Sequence, residues 1–174
     1  DVWTSVLWVT FASLFLAVLA QIAVPLPFTP VPMTLQTLGV LLVGAALGSK
    51  RGTAAVALYL AQGAIGLPVV ASGGFGLAKL VGPTGGYLVG FLFAAYLVGA
   101  MAERGFDRKF RSSWLAFAWG HLTIYACGTL WLAAIVGWTN AFAMGVMPFV
   151  AGDAIKVAIA ALALPAVWRF VGRA

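Results

Sequence analysis

The sequence is poor in charge and almost lacks cysteine. Charged residues make up 8% of its 174 residues, whereas a soluble domain carries roughly 25%. Too few charges are present to cover a water-exposed surface, so soluble classes of protein are excluded. The single cysteine, Cys127, has no partner within the chain, so no internal disulfide supports the fold. No basic region precedes the first apolar run, and we expect no cleavable signal peptide.

Long apolar runs fill most of the chain instead. Hydrophobic residues account for 63% of it and the mean hydropathy is +1.06. A spanning helix needs about 20 apolar residues, so the chain has room for roughly six. We predict an all-α integral membrane protein, one domain over residues 1–174 with six transmembrane helices in contact with membrane lipid. The predicted spans cover residues 2–24, 34–48, 53–66, 85–102, 113–138 and 148–171. Residues 67–84 are rich in glycine and predict irregular structure.

The basic residues indicate how these spans are oriented. Cytoplasmic loops carry an excess of Lys and Arg, and eight of the ten basic residues fall on one side of a six-span bundle. These eight are Lys50, Arg51, Arg104, Arg108, Lys109, Arg111, Arg169 and Arg173. We therefore predict that both the N- and C-termini are cytoplasmic. A net charge of +6 can also attract nucleic acid, but short clusters between apolar runs form no amphipathic basic face, so no nucleic-acid partner is expected.

Four prolines, at positions 25, 27, 30 and 32, interrupt the chain after the first span. Proline fixes φ near −65° and lacks an N–H donor, so this segment cannot be helical. Irregular backbone at membrane depth is tolerated only where protein covers it or where it lines a wet cavity. On the predicted topology the segment lies at the outer face, and we interpret it as a stiff cover over a cavity. A plain external linker is the alternative.

The last span contains an acid and a base within apolar sequence, Asp153 and Lys156. Each charge costs about 2.5–3.5 kcal/mol at a helix centre. A spacing of three places both on one helix face, roughly 8 and 12 Å below the outer end of the span at 1.5 Å per residue. Replacing a buried ion pair by apolar residues is often neutral or stabilising. We therefore favour a ligand-binding role, with a structural ion pair as the alternative.

Other polar and aromatic residues are predicted at a similar depth. Tyr125 and Gly128 share one face of the fifth span, with Trp131 at its edge, and a glycine between aromatic residues leaves room for a flat ligand. Gln36 opens the second span and Tyr87 the fourth. We predict that these residues converge with the acid and the base of the last span on one outward-facing pocket. Ordinary helix packing is the alternative for each aromatic residue.

Metal and enzyme sites find little support in the sequence. His121 is the only histidine and no Cys, Asp or Glu stands at metal-ligand spacing, so we expect a hydrogen-bonded packing histidine and no metal. The glycine-rich segments lack a phosphate-binding motif. Beyond the paired base, no second catalytic group accompanies the buried acid, so we expect no enzyme and no cofactor.

Small side chains occupy one side of the first span. Ser13 and Ala17 form a small-xxx-small pair, and Ala12 continues the same side. Such a face lets another helix approach closely in lipid, although small residues recur by chance in an alanine-rich span. We interpret it as a candidate partner-docking surface.

Three motifs then occur in order: PVPMTLQTL from residue 30, GPTGGYL from residue 82 and GDAIK from residue 152. Together with the residues between them they resemble the BioY family of biotin transporters, the substrate-binding S components of energy-coupling-factor (ECF) vitamin importers, over residues 21–161. The resemblance implies the six-helix S-component fold, biotin bound near the outer face under the first loop, and a bacterial or archaeal cytoplasmic membrane. It also implies that this chain is no ATPase and that an ECF T component and two ATPase subunits energise uptake.

The resemblance assigns roles to single residues as well. Asp153 would accept a hydrogen bond from a ureido N–H of biotin, whereas Lys156 would serve either the ureido oxygen or the tail carboxylate. The residues implied to pack on the bicycle are Tyr125 and Trp131, and those implied to close the lid are Phe28, Thr29 and Met33. On the first helix Val9 stands where the family's docking face typically has a small residue, so Ser13 and Ala17 would carry the contact or docking would be weaker.

Several alternatives stay open at this point. Other S components share the fold with different pockets, so another vitamin such as thiamin or riboflavin is the main rival to biotin. A membrane-embedded enzyme and a channel fit less well, because the polar residues cluster in the outer half of the predicted bundle. The chain could work with an ECF module, or alone as a solitary transporter, in which case it could form a homo-oligomer.

Overall fold

The structure is a computed structural model that describes residues 1–171, with side chains described as far as residue 166. Arg169 and Arg173, two of the residues behind the predicted orientation, lie outside the described side chains. Over the described residues the helices are α1 Val2–Gln21, α2 Gln36–Ala64, α3 Leu77–Val81, α4 Gly85–Glu103, α5 Phe110–Val136, α6 Trp138–Gly145 and α7 Val150–Val171. The antiparallel strands β1 Ala23–Val24 and β2 Met33–Thr34 pair within the first loop. Two short 3-10 turns cover Ala71–Gly73 and Phe106–Arg108.

Four of these helices, α1, α2, α4 and α5, are long and apolar enough to cross a membrane. Within the described residues α6 and α7 add a fifth candidate if the pair, bent by 50°, is one broken span. The prediction of a helical membrane protein is confirmed. The fifth span was predicted to run to residue 138, but α5 ends at Val136 because Gly137 adopts φ 82° and turns the chain into α6. Helix α6 has no counterpart among the predicted spans.

Helix α2 is broken at Gly48, where φ is 80° and ψ is 177°. We call its two parts α2a, residues 36–47, and α2b, residues 49–64. Gln36 donates a hydrogen bond from Nε2 to Tyr59 Oη at 2.6 Å, whereas a straight helix would separate these residues by roughly 35 Å. The chain therefore reverses at Gly48, and α2a and α2b lie side by side. They correspond to the predicted segments 34–48 and 53–66.

The reversal at Gly48 packs against the end of α4. Glu103 accepts hydrogen bonds at Oε1 from the backbone N–H of Ser49 at 2.7 Å and from Ser49 Oγ at 2.9 Å, and a carboxylate is favourable at the start of a helix such as α2b. A Cβ on Gly99 would lie 2.5 Å from Ser49 N, so this approach requires glycine. The contact brings most of the basic residues to one end of the bundle. These are Lys50, Arg51, Arg104, Arg108, Lys109 and Arg111.

The opposite end carries the first loop and residues 67–84. Gln21, at the end of α1, accepts a hydrogen bond from Gly73 N at 2.9 Å and donates one to Val69 O at 3.4 Å. Thr29 in the first loop donates from Oγ1 to Met144 O of α6 at 2.7 Å. Residues 67–84 were predicted to be irregular, and they include the five-residue helix α3 as well as a 3-10 turn. Both outer segments are therefore held against the helices.

Helix α1 turns its small side chains toward the rest of the chain. Ser13 is 0% exposed and Ala12 6%, and Gln62 of α2b donates from Nε2 to Ser13 Oγ at 3.4 Å. Ala17 is partly buried against the same core. The predicted docking surface is thus corrected for Ser13 and Ala12, because both side chains are already buried within the chain, with Ser13 beside Gln62 of α2b and Ala12 beside residues of α2a. The exposed side of α1 carries large side chains, including Leu7, Phe11, Leu14 and Val18.

Candidate functional site

A cavity lies under the first loop, between α2a, α4, α5 and α7. Its volume is about 60 Å³, several times the space that one ordered water needs, so the region is not filled core. The helices α2a, α4, α5 and α7 contribute Gln36, Thr37, Tyr87, Leu88, Phe91, Ile124, Tyr125, Asp153 and Lys156. The turn between α6 and α7 contributes Phe149, and the first loop and residues 67–84 contribute Val31, Pro32, Thr34, Val70, Ala71, Lys79 and Thr84. Predicted residues from the second, fourth, fifth and last spans therefore meet at one place.

Asp153 is the centre of a buried polar network in this cavity. Its Oδ1 accepts a hydrogen bond from Lys156 Nζ at 2.7 Å and lies 3.5 Å from Thr37 Oγ1. Its Oδ2 accepts a short hydrogen bond from Tyr125 Oη. A carboxylate has about four acceptor positions, so Oδ2 retains one position for a further donor. Asp153 is therefore held in place by three elements and can still accept from a ligand.

Lys156 uses all its donors within the chain. An ammonium group has three N–H donors, and Nζ lies 2.7 Å from Asp153 Oδ1, 2.6 Å from Thr34 O and 3.2 Å from Thr37 Oγ1. The predicted pairing of the acid and the base on one helix face is present. A ligand that accepts from Lys156 must replace one of these acceptors.

Two predicted polar residues line the cavity but also have internal partners. Gln36 donates from Nε2 to Tyr59 Oη and accepts at Oε1 from Thr34 Oγ1 at 3.3 Å. Tyr87 donates from Oη to Gly145 O at 2.9 Å, which ties α4 to α6. Both side chains therefore have fixed orientations in the cavity wall.

Gly128 and Trp131 do not line the cavity. A Cβ on Gly128 would collide with the ring of Tyr87, so the space that the glycine leaves is taken by a side chain and is not left for a flat ligand. Trp131 is 39% exposed, donates from Nε1 to Gly82 O at 3.0 Å, and lines a separate outer groove with Cys127. The structure thus places both residues outside the site predicted from their helix face.

The first loop covers the cavity, but the loop residues that line it are neighbours of the ones that were predicted to close the lid. Val31, Pro32 and Thr34 line it, whereas Phe28, Thr29 and Met33 do not. Phe28 is exposed, and Thr29 anchors the loop to α6. The Met33 sulfur lies 3.6 Å from the position of a Cβ on Gly152, so this side chain faces α7. The proline-rich segment is a cover, but its contacts with the cavity come from different positions.

Thr37 and Lys79 are among the cavity residues that were not assigned a role from the sequence. Thr37 bridges Asp153 and Lys156, and its position one residue after Gln36 in a predicted pocket wall was the available signal. Lys79 is half-buried in α3 and reaches the cavity from the outer loop. The available signal for Lys79 was its separation from the basic clusters, because it is the one basic residue of residues 67–84.

Comparison with known proteins gives a consistent picture. The model of the BioY family matches residues 2–173. The biotin transporter BioY of Rhizobium etli is 40% identical over 166 residues, 90% of this chain and 88% of that protein. The probable biotin transporter BioY of Pyrococcus horikoshii is 40% identical over 157 residues, with 88% and 91% covered. The crystal structure of an S-component for biotin from an ECF-type ABC transporter superposes with a TM-score of 0.83 and 28% identity over 95% of this chain and 91% of that one.

Proposed function

Because the chain belongs to the BioY family, we propose that it binds biotin in the cavity under its first loop and takes it up across the cytoplasmic membrane, which it crosses several times. One observation carries the proposal: a buried acid and base, Asp153 and Lys156, face a cavity whose outer loop adds a second cation, Lys79. Biotin has a ureido ring with two N–H donors and a carbonyl acceptor, and a flexible tail that ends in a carboxylate. In such a cavity the acid can accept from the ureido N–H donors, and a separate cation can pair with the tail carboxylate.

The ureido ring is assigned to the end of the cavity formed by α7. Asp153 Oδ2 has one acceptor position beyond its bond from Tyr125, and a ureido N–H can donate to it. The ureido oxygen is assigned to Lys156, which lies 2.7 Å from Asp153 Oδ1 and would exchange one of its three internal acceptors for the ligand. The rings of Tyr87, Tyr125 and two cavity phenylalanines provide apolar walls for the bicycle.

The tail carboxylate is assigned to Lys79. The chain contains only four acids, and Asp153 is paired with Lys156 of its own helix. The other three, Asp1, Glu103 and Asp107, belong to the basic end of the bundle. Among the described residues no carboxylate side chain therefore remains near the first loop and residues 67–84 to pair with Lys79, and a half-buried unpaired charge is unfavourable. An anionic ligand tail would neutralise it.

The first loop is proposed to act as the lid. Thr29 fixes it to α6, and Thr34 fixes its end to Lys156. In this arrangement Phe28 precedes the covering residues, and Met33 lies between two of them, Pro32 and Thr34. Release of the Lys156 bond to the Thr34 carbonyl would loosen the lid at the point where the ligand enters.

The topology proposed for uptake has six crossings, with α2a and α2b as separate ones and α6 joined to α7. The basic end, with both termini, faces the cytoplasm because Lys and Arg accumulate on that side, and the cavity opens outward. We propose that an ECF T component and ATPase subunits energise uptake, with the exposed face of α1 available for docking beside the partly buried Ala17. A solitary, self-associated transporter is the competing arrangement.

The test of the ligand assignment is a titration of the purified chain in detergent with biotin, thiamin and riboflavin, read by calorimetry and by native mass spectrometry. We expect saturable binding of biotin with one molecule for each chain, and no saturable binding of the other two vitamins. Binding of thiamin or riboflavin in place of biotin would contradict the assignment. Uptake of labelled biotin into proteoliposomes with and without T component and ATPases separates the two energetic arrangements.

A further inference from the structure

A buried histidine without a hydrogen bond lies behind Asp153. His121 of α5 is 5% exposed, and among the described residues neither its Nδ1 nor its Nε2 has a hydrogen-bond partner. A buried polar group left unpaired destabilises the folded chain. The hydrogen-bonded packing histidine predicted from the sequence is therefore not what the structure contains, and the unpaired ring calls for a partner in another state of the protein.

A carboxylate oxygen of the binding site lies close to this ring. His121 Nε2 lies 3.6 Å from Asp153 Oδ1, just beyond hydrogen-bond distance. His121 does not line the cavity, but it lines a groove between α5 and α7 on the other side of Asp153 and Tyr125, which border both spaces. The ring can therefore reach the carboxylate without touching a ligand in the cavity.

Ligand binding would change the partners of Asp153 Oδ1. In the structure this oxygen accepts from Lys156 and lies near Thr37. If the ureido oxygen of biotin draws Lys156 toward the cavity, Oδ1 loses its strongest donor. A movement of about 0.7 Å would bring His121 Nε2 from 3.6 Å to an ordinary hydrogen-bond distance of about 2.9 Å. The charged and titratable groups that face the imidazole are Asp153, Lys156 and Tyr125.

We propose that His121 is a positioning residue for biotin binding, whose Nε2–H replaces Lys156 at Asp153 Oδ1 and holds the carboxylate toward the ureido N–H. This inference rests on the proposed function. Nε2 carries a proton in this role, because a donor is what the carboxylate lacks once Lys156 has moved.

The test compares three substitutions that differ in where they place a donor. The amide nitrogen of glutamine reaches about as far as Nε2, that of asparagine only as far as Nδ1, and phenylalanine has no donor. We expect His121→Gln to bind biotin within twofold of the unmodified chain, and His121→Asn and His121→Phe to bind at least fivefold more weakly by calorimetry. If His121→Phe folds poorly, the comparison of His121→Gln with His121→Asn decides. Equal affinity of these two variants would overturn the proposal.

A double-mutant cycle separates positioning from general packing. If His121 acts through Asp153, His121→Asn should cause no further loss of biotin affinity in an Asp153→Asn background, whereas independent effects would add. Additive losses would overturn the proposal. The outcome is distinct from failure of the proposed function, because failure of the unmodified chain to bind biotin would show in the same titrations before any variant is compared.

Discussion

Lys156 donates a hydrogen bond from Nζ to the backbone carbonyl oxygen of Thr34 at 2.6 Å, so the base of α7 holds the end of the first loop. The same ammonium is bonded to Asp153. Because its donors are all in use, biotin cannot engage Lys156 without displacing an internal acceptor. If Thr34 is the acceptor displaced, occupancy of the site and mobility of its cover are coupled through one side chain.

The first prediction concerns the buried pair. Asp153→Asn and Lys156→Ala should each weaken biotin binding at least tenfold, about 1.4 kcal/mol, because each removes a charge-assisted contact with the ureido group. Calorimetric titration measures the effect, and thermal unfolding in detergent must accompany it, since each change leaves its former partner buried and unpaired. Lys50→Ala, at the opposite end of the bundle, is the control. Unchanged affinity in both folded variants would assign the pair to a structural role.

The second prediction concerns the tail of the ligand. Lys79→Met should weaken binding of biotin about tenfold and leave binding of biotin amide unchanged, because only the acid can pair with the ammonium. The difference between the two ligands isolates the contact from any general damage to the outer loop. Lys50→Met has the same chemistry far from the cavity and should change neither affinity. Equal loss for acid and amide would remove Lys79 from the tail site.

The third prediction concerns the lid. Thr29→Val keeps the shape of the side chain and removes the hydroxyl that bonds to Met144 O, so the first loop loses its anchor on α6. Biotin should dissociate three- to tenfold faster, measured by chase of labelled biotin with unlabelled ligand. Thr123→Val removes a hydroxyl that bonds only to Trp119 O of its own helix and serves as the matched control. A lid role is contradicted if the two variants release biotin at the same rate.

The fourth prediction concerns the reversal within α2. Gly48→Ala places a side chain at φ 80° and 2.6 Å from Glu103 Oε1. The conformation of Gly48, with φ 80° and ψ 177°, is essentially limited to glycine and costs another residue about 1–3 kcal/mol, and displacement of Glu103 from Ser49 adds to this. Gly66→Ala is the control, because Gly66 also has a positive φ, 103°, but a Cβ there would meet no atom within 4 Å. We expect a larger decrease in thermal unfolding temperature for Gly48→Ala, and equal decreases would show that the Glu103 contact contributes nothing.

The fifth prediction concerns α1. Ser13→Trp should destabilise the isolated chain in detergent, because Ser13 is fully buried against α2b and overpacking costs about 1–3 kcal/mol. Leu14→Trp, on the exposed side of the same helix, should leave the unfolding temperature unchanged. The reverse order would mean that Ser13 is available on the surface for a partner.

Sequence reasoning was most informative for residue types that a membrane protein can accommodate at only a few positions. The charged pair in an apolar span, the proline-rich segment and the basic clusters each allow few arrangements, and they led to the site, its cover and the common basic end. The position of Gln36 and Tyr87 at the helix ends nearest the first loop followed from counting residues along a helix. The reversal near Gly48 was predicted from the break in apolar sequence beside Lys50 and Arg51.

The residues that sequence reasoning misplaced are those whose surroundings depend on which side chain or helix fills the space beside them. The gap at Gly128 is filled by the ring of Tyr87, and the small side of α1 is filled by α2b, and neither outcome follows from periodicity along one helix. Trp131 lies at the edge of the correct face, but a bond to the Gly82 carbonyl holds it outside. The role of Thr34 depends on its backbone carbonyl, which every residue has, so no side-chain pattern could indicate it.

The break at Gly48 has a consequence for how the protein is made. The segment α2a contains about 12 residues and is roughly 18 Å long, shorter than the 30 Å or so of a bilayer core. A nascent chain that ends at residue 48 would therefore leave the ribosome without a segment able to settle in lipid on its own after α1. Gln36 can pair with Tyr59 only after α2b has been synthesised. We therefore expect α2a and α2b to integrate into the membrane together, as one helical hairpin. Lys50 and Arg51 would then stay on the side of the membrane where the chain is synthesised.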